Sequence, residues 1–153
     1  MNQEFPHYFE DFPVGRRFIS GTEPVTREEI LSFAQRFDPQ KHHLDDAFAA
    51  TTLFQGLSAS GWHTAALSMR LLVLTVLGPE SGAAGAGVEE LRWHRPVRPG
   101  DTLHIEAEVT DARVSQSRPN RGVVGFKVTT FNQHNDVVQT SHSSIVANRR
   151  PGG

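Results

Sequence analysis

A carboxylate and an imidazole stand close together in the segment Phe37-Asp38-Pro39-Gln40-Lys41-His42-His43-Leu44-Asp45. Pro39 makes this stretch a bent loop rather than a helix face, and such a loop can turn Asp38 and His43 to the same side, within reach of one water or substrate atom. Imidazole titrates near neutral pH, and a carboxylate orients it or shares its proton, so the pair carries the groups that general acid–base chemistry requires. The same residues also suit a plain turn, since Asp before Pro and His beside Asp are common in turns and caps. On residue types alone both readings stand.

Other chemistries lack their residues. The chain has no cysteine, which removes thiolate nucleophiles, disulfides, thiolate zinc sites and iron–sulfur clusters. There is no H-E-x-x-H pattern, so no metal is expected. Gly56-Leu57-Ser58-Ala59-Ser60-Gly61 does not form a G-x-S-x-G nucleophile elbow, and the glycines from Gly82 to Gly87 lack the lysine and spacing of a phosphate loop. Among the remaining histidines, His104, His134 and His142 read as solvated and His63 as buried and hydrogen-bonded, while Trp62 reads as core.

The 153 residues fit one ordinary domain, and 37% hydrophobic residues suffice for a core without staples. With 15 basic against 17 acidic residues and a net charge of -2, neither nucleic acid nor a membrane is an expected partner. Met1 to Glu10 has no basic start or apolar run, which predicts no secretory signal and a cytoplasmic protein. The long apolar stretch Trp62 to Leu77 is interrupted by His63 and Arg70 and is too short to span a bilayer. A single domain over residues 1–148 with a disordered tail over 149–153 is the simplest division.

The elements that must position Asp38 and His43 follow from periodicity and capping. Phe18 and Ile19 supply one short strand at most. Thr26 and Glu29 have capping-box spacing, and Ile30, Phe33, Ala34 and Phe37 recur at helical intervals, so a first helix runs up to Pro39. Asp45 or Asp46 caps a short second helix. Ser58 or Ser60 caps a third, from about Gly61 to Leu77, which is apolar on nearly every face and is expected to be wrapped by protein. Leu103 to Val109, Val124 to Thr130 and Val138 to Val146 alternate with a period of two and predict an antiparallel meander, with a fourth strand from Val88 to Arg95. The fold class is α+β, a sheet curled around one helix.

Four stretches carry a family resemblance: Phe9-Glu10-Asp11-Phe12-Pro13-Val14-Gly15, Asp38-Pro39-Gln40-Lys41-His42-His43 with Leu44-Asp45, Gly56-Leu57-Ser58-Ala59-Ser60-Gly61-Trp62-His63-Thr64, and Arg95-Pro96-Val97-Arg98-Pro99-Gly100-Asp101-Thr102-Leu103. They resemble the MaoC-like dehydratases, relatives of the (R)-specific enoyl-CoA hydratases. The resemblance implies a hot-dog fold, an antiparallel curved sheet around a long apolar helix. It also implies Asp38 and His43 as the catalytic pair, with His43 rather than His42 as the imidazole, and hydration or dehydration across the 2,3 bond of an enoyl-CoA or 3-hydroxyacyl-CoA thioester. No cofactor is implied beyond the coenzyme A thioester substrate. Gly61, at a helix N-terminus, either offers an N–H to a thioester oxygen, with Ser60 beside it as a further substrate-binding residue, or relieves crowding where the helix enters the sheet. Arg92, Arg95 and Arg98, with Lys41, are candidate phosphate contacts for coenzyme A and fit a solvated face as well. The free edges of a curled sheet predict a homodimer or a higher homo-oligomer. Two alternatives remain: a hot-dog acyl-CoA thioesterase, and a non-catalytic acyl-CoA-binding subunit.

Overall fold

The structure, a computed structural model, describes residues 4–6 and 8–152. Two short strands, β1 (Arg17–Ile19) and β2 (Glu23–Pro24), precede α1 (Arg27–Phe37). Thr26 caps α1, its hydroxyl accepting the N–H of Glu29 at 3.2 Å. Asp45 caps α2 (Asp46–Ala50) by accepting the N–H of Phe48 at 2.8 Å. The third helix, α3 (Gly61–Leu72), is capped by Ser60 and runs on into a π-helical turn over Val73–Leu77. Gly78 closes that turn with φ 78°, a backbone state that favours glycine, and its N–H reaches Val73 O at 2.8 Å.

Four long strands complete the chain: β3 (Ala84–Trp93), β4 (Thr102–Val114), β5 (Arg121–Phe131) and β6 (Val137–Asn148). The sheet order is β1-β4-β5-β6-β3, with β2 paired to the start of β4. The β4-β5-β6 meander matches the alternation in the sequence. Leu103, Ile105, Ala107 and Val109 from β4 and Val124, Phe126 and Val128 from β5 are all buried. Together with Ile145 of β6 and with Leu71, Leu72 and Val76 of the third helix and its π turn, they form the core. Each deeply buried aliphatic side chain contributes about 1.5–3 kcal/mol relative to exposure. This is the hot-dog arrangement.

Two expectations are corrected. The third helix is covered by the sheet on one side only: Trp62 is 59% exposed, Met69 50% and Leu74 41%. Its all-round apolarity therefore does not mark burial within one chain, and Trp62 is not a core residue. β3 starts at Ala84, four residues earlier than expected, and is exposed along nearly its whole length at the sheet edge beside β6. Residues 149 and 150 bond back to the Phe9–Asp11 turn. Arg149 Nε donates to Glu10 Oε1 at 3.2 Å, and Arg150 Nη2 donates to Asp11 Oδ1 at 2.7 Å.

Candidate active site

Asp38 stands where α1 stops. Its N–H still bonds back to Ala34 O at 2.9 Å, but its backbone has left the helical region, with φ -150° and ψ 70°, as the following proline requires. The chain then turns on itself: Gln40 N–H reaches Asp38 O at 2.8 Å, and His43 N–H reaches Gln40 O at 2.9 Å through one 3-10 turn over Lys41–His43. This fold-back brings His43 Nε2 to 3.4 Å from Asp38 Oδ2.

Both groups are held from behind. His43 is buried at 3% exposure, and its Nδ1 lies 2.7 Å from Ser58 O. A carbonyl only accepts, so Nδ1 carries a proton and Nε2 is the ring nitrogen turned toward Asp38 and the cavity. Asp38 takes a hydrogen bond on each oxygen, from Ser60 Oγ on Oδ2 at 2.6 Å and from Gln40 Nε2 on Oδ1 at 2.7 Å. Burial pushes the Asp38 carboxyl up, but the bonds from Ser60 and Gln40 and the charges of His43 and His42 outweigh it and leave it below the usual carboxylate range. The site thus sets an ionised carboxylate beside an imidazole whose Nδ1 is held by a carbonyl.

A cavity of about 590 Å³ opens in front of this pair. His43, Ala59, Thr64 and Val97 form its buried end, and Trp62, Trp93, His94 and Arg95 its exposed mouth. His42 also lines it, its ring 4.7 Å from Phe54 and edge-on to His43 at 4.2 Å. Burial, then the neighbouring His43, holds the His42 imidazole below its ordinary value against the pull of Asp38.

The remaining expected site residues divide. Gly61 lines the cavity, and its N–H has no acceptor among the described residues. A Cβ at Gly61 would lie 2.5 Å from the Trp93 ring, so close packing by itself requires glycine there. Ser60 does more than was read from the sequence, because one hydroxyl accepts the N–H of Trp62 at 3.3 Å and donates to Asp38. A hydroxyl at a helix start was legible as a cap; its bond to a carboxylate 22 residues away was not.

Among the arginines, Arg95 lines the mouth, 3.9 Å from Asp136. Arg92 lies on exposed β3, and Lys41 stacks over Phe48 at 5.0 Å. Arg98 is not free for a phosphate: its guanidinium is spent on the carbonyls of Phe54, Gly56 and Leu57. His63 is buried as expected, but its Nδ1 lacks the expected partner among the described residues, and the ring stacks on Phe33 at 4.8 Å.

A hot-dog sheet with an Asp–His pair at the head of its helix defines a class, and comparison with known proteins gives that class its family. The family model described as MaoC like domain matches residues 12–132, and the chain belongs to this family. It is 31% identical over 129 residues to the (R)-specific enoyl-CoA hydratase of Rhodospirillum rubrum, covering 80% of each chain. The crystal structure of a MaoC-like dehydratase from the same organism superposes with a TM-score of 0.89 at 49% identity, over 94% of this chain and 98% of that one. A Mycobacterium tuberculosis protein with a double hot-dog fold, 21% identical, shares the fold at a TM-score of 0.81 over 97% of this chain and 46% of its own.

Proposed function

We propose that this protein adds water to, or removes it from, the 2,3 bond of an acyl-CoA thioester. The observation that carries the reading is the Asp38–His43 pair, 3.4 Å apart at the buried end of an open cavity, in a chain of the MaoC-like family. A water in front of the pair is bound by both groups. His43 Nε2 takes one of its protons while the hydroxyl oxygen bonds to the β-carbon. The π electrons move to the thioester oxygen as an enolate, which the Gly61 N–H at the positive end of α3 receives. The imidazolium, stabilised by the Asp38 carboxylate, then returns its proton to the α-carbon. Water is consumed, one C–O and one C–H bond form, and dehydration is the reverse.

The test is turnover of the purified protein on a panel of short, medium and branched enoyl-CoA thioesters, followed by absorbance of the conjugated double bond and by a thiol reagent. Loss of absorbance without free thiol is the expected result. Release of coenzyme A thiol identifies a thioesterase instead, and binding without either change identifies a non-catalytic subunit.

The reading includes a second copy of the chain as partner. Val88 at 62% exposure and Trp93 at 44% lie on the β3 edge, and Trp62, Met69 and Leu74 extend an apolar surface along the third helix and its π turn. An exposed strand edge bordered by such a surface is completed by pairing with its own copy. A monomer in sedimentation at micromolar concentration would refute this.

A further inference from the structure

The segment between α2 and α3 has no regular structure from residue 51 to residue 60, yet it delivers three groups to the site: the Phe54 ring, the Ser58 carbonyl and the Ser60 hydroxyl. One side chain holds its shape. The Arg98 guanidinium donates to Gly56 O at 2.8 Å, to Leu57 O at 3.2 Å and to Phe54 O. For these carbonyls to converge on one cation the backbone takes uncommon turns, with φ 56° at Gln55 and φ 151° at Gly56. A Cβ at Gly56 would sit 3.3 Å from Arg98 Nη1.

Arg98 is itself fixed. Its N–H donates to Asp101 Oδ2 at 2.8 Å, and Asp101 Oδ1 accepts from Gln133 Nε2 at 2.9 Å. The preceding residue completes the platform, for Val97 O accepts the Ala59 N–H at 2.8 Å. Thus the peptide units on either side of Ser58 are tied to the chain around Arg98. The Ser58 carbonyl, on the same peptide unit as the Ala59 N–H, points to His43 Nδ1 at 2.7 Å.

We propose that Arg98 is a positioning residue for the catalytic imidazole: by gripping the carbonyls of Phe54, Gly56 and Leu57 it aims the Ser58 carbonyl at His43 Nδ1 and thereby fixes which ring nitrogen faces the cavity. The inference rests on the catalytic role of His43 proposed above. If the Ser58 carbonyl swings away, the Nδ1 proton loses its acceptor. The ring is then free to carry its proton on Nε2 and donate it to Asp38, and the lone pair needed for water activation is lost. Lysine does not substitute, because a single ammonium lacks the planar fork that meets three carbonyls in one geometry.

The test uses the full chain labelled with 15N-histidine, in which NMR distinguishes protonated from unprotonated ring nitrogens and the His43→Gln variant assigns the His43 signals. The wild type is expected to show a protonated Nδ1 and a bare Nε2. In Arg98→Ala the Nε2-protonated form should grow, and kcat should fall about tenfold to a hundredfold, by analogy with loss of the partner that orients a metal-ligating histidine, with KM changed less than threefold. Millimolar guanidinium should restore both the NMR pattern and kcat in Arg98→Ala. In Arg98→Lys, where the ammonium fills the space, both should stay altered.

An unchanged His43 pattern in the two variants overturns the proposal, as does a loss of kcat without a change in pattern, or failure of guanidinium to restore either. If Arg98→Ala does not fold, Arg98→Lys carries the same measurement. If neither folds, Arg98 braces the whole fold rather than aiming one carbonyl, and the proposal falls. A wild type inactive on every thioester would sink the hydratase reading while the NMR arm still decides the role of Arg98.

Discussion

Replacing Ser60 separates the two duties of one hydroxyl. Ser60 is fully buried, caps α3 through the Trp62 N–H at 3.3 Å and donates to the Asp38 carboxylate at 2.6 Å. Loss of a serine cap to alanine costs about 1 kcal/mol, and loss of a hydrogen bond to a charged group about 1.5–3 kcal/mol. Ser60→Ala should therefore destabilise the fold by about 2.5–4 kcal/mol. Ser60→Gly keeps most of the cap, since glycine costs only a few tenths of a kcal/mol there, so its loss should be close to that of the carboxylate bond alone. A double-mutant cycle with Asp38→Ala should return a coupling of about 1.5–3 kcal/mol in urea denaturation. In steady-state kinetics both Ser60 variants should lose roughly tenfold to a hundredfold in kcat, because the same bond aims the carboxylate oxygen that faces His43. A stability loss near 1 kcal/mol for Ser60→Ala, with a near-zero coupling and kcat within threefold of wild type, would mean that Ser60 is only a cap.

Asp38→Asn and His43→Ala should each lower turnover by about a hundredfold to ten-thousandfold with little change in KM, and the double variant should lose scarcely more than the worse single one, in the thioester assay. His42→Ala should cost less than about tenfold, roughly 1.4 kcal/mol, since His42 touches the His43 ring without holding either of its nitrogens; a loss as large as that of His43→Ala would place the catalytic imidazole one residue earlier. Gly61→Ala should destabilise by about 1–3 kcal/mol through its 2.5 Å clash with Trp93, and Trp93→Ala in the same chain should remove most of that penalty in thermal melts. Burial holds the His63 imidazole below its ordinary value despite Glu29, so the unfolded chain binds a proton there first as pH falls. Stability should then decline from about pH 6.5, the unfolded value, down to the folded pKa. In His63→Leu this part of the decline should vanish; an unchanged profile in urea titrations at several pH values would refute the assignment. The sign also holds for Asp38, whose lowered value contributes stability above the ordinary carboxylate range that is lost only as pH falls through its folded pKa.

The features legible in the sequence are those decided within a few residues. Thr26 and Asp45 cap their helices through N–H groups three residues on, Pro39 ends α1 one residue after Asp38, and the alternation of Leu103 to Val109 and Val124 to Val128 sets which faces are buried. The spacing of Asp38 and His43 belongs with these, because a single turn brings the two together. What tertiary structure alone decided lies between residues far apart in the chain. Ser60 meets Asp38 across 22 residues, Ser58 meets His43 across 15, and Arg98 meets the 54–57 segment across more than 40. The exposure of Trp62 and the edge position of β3 are of the same kind, because an apolar side chain on α3 and a strand with little alternation carry no local mark of which neighbour covers them. Residue type and short-range periodicity specify what a group can bond to and which way its element turns; which partner it meets is chosen by loop closure and sheet order, where the entropy of bringing distant segments together is offset by the packing of the whole core.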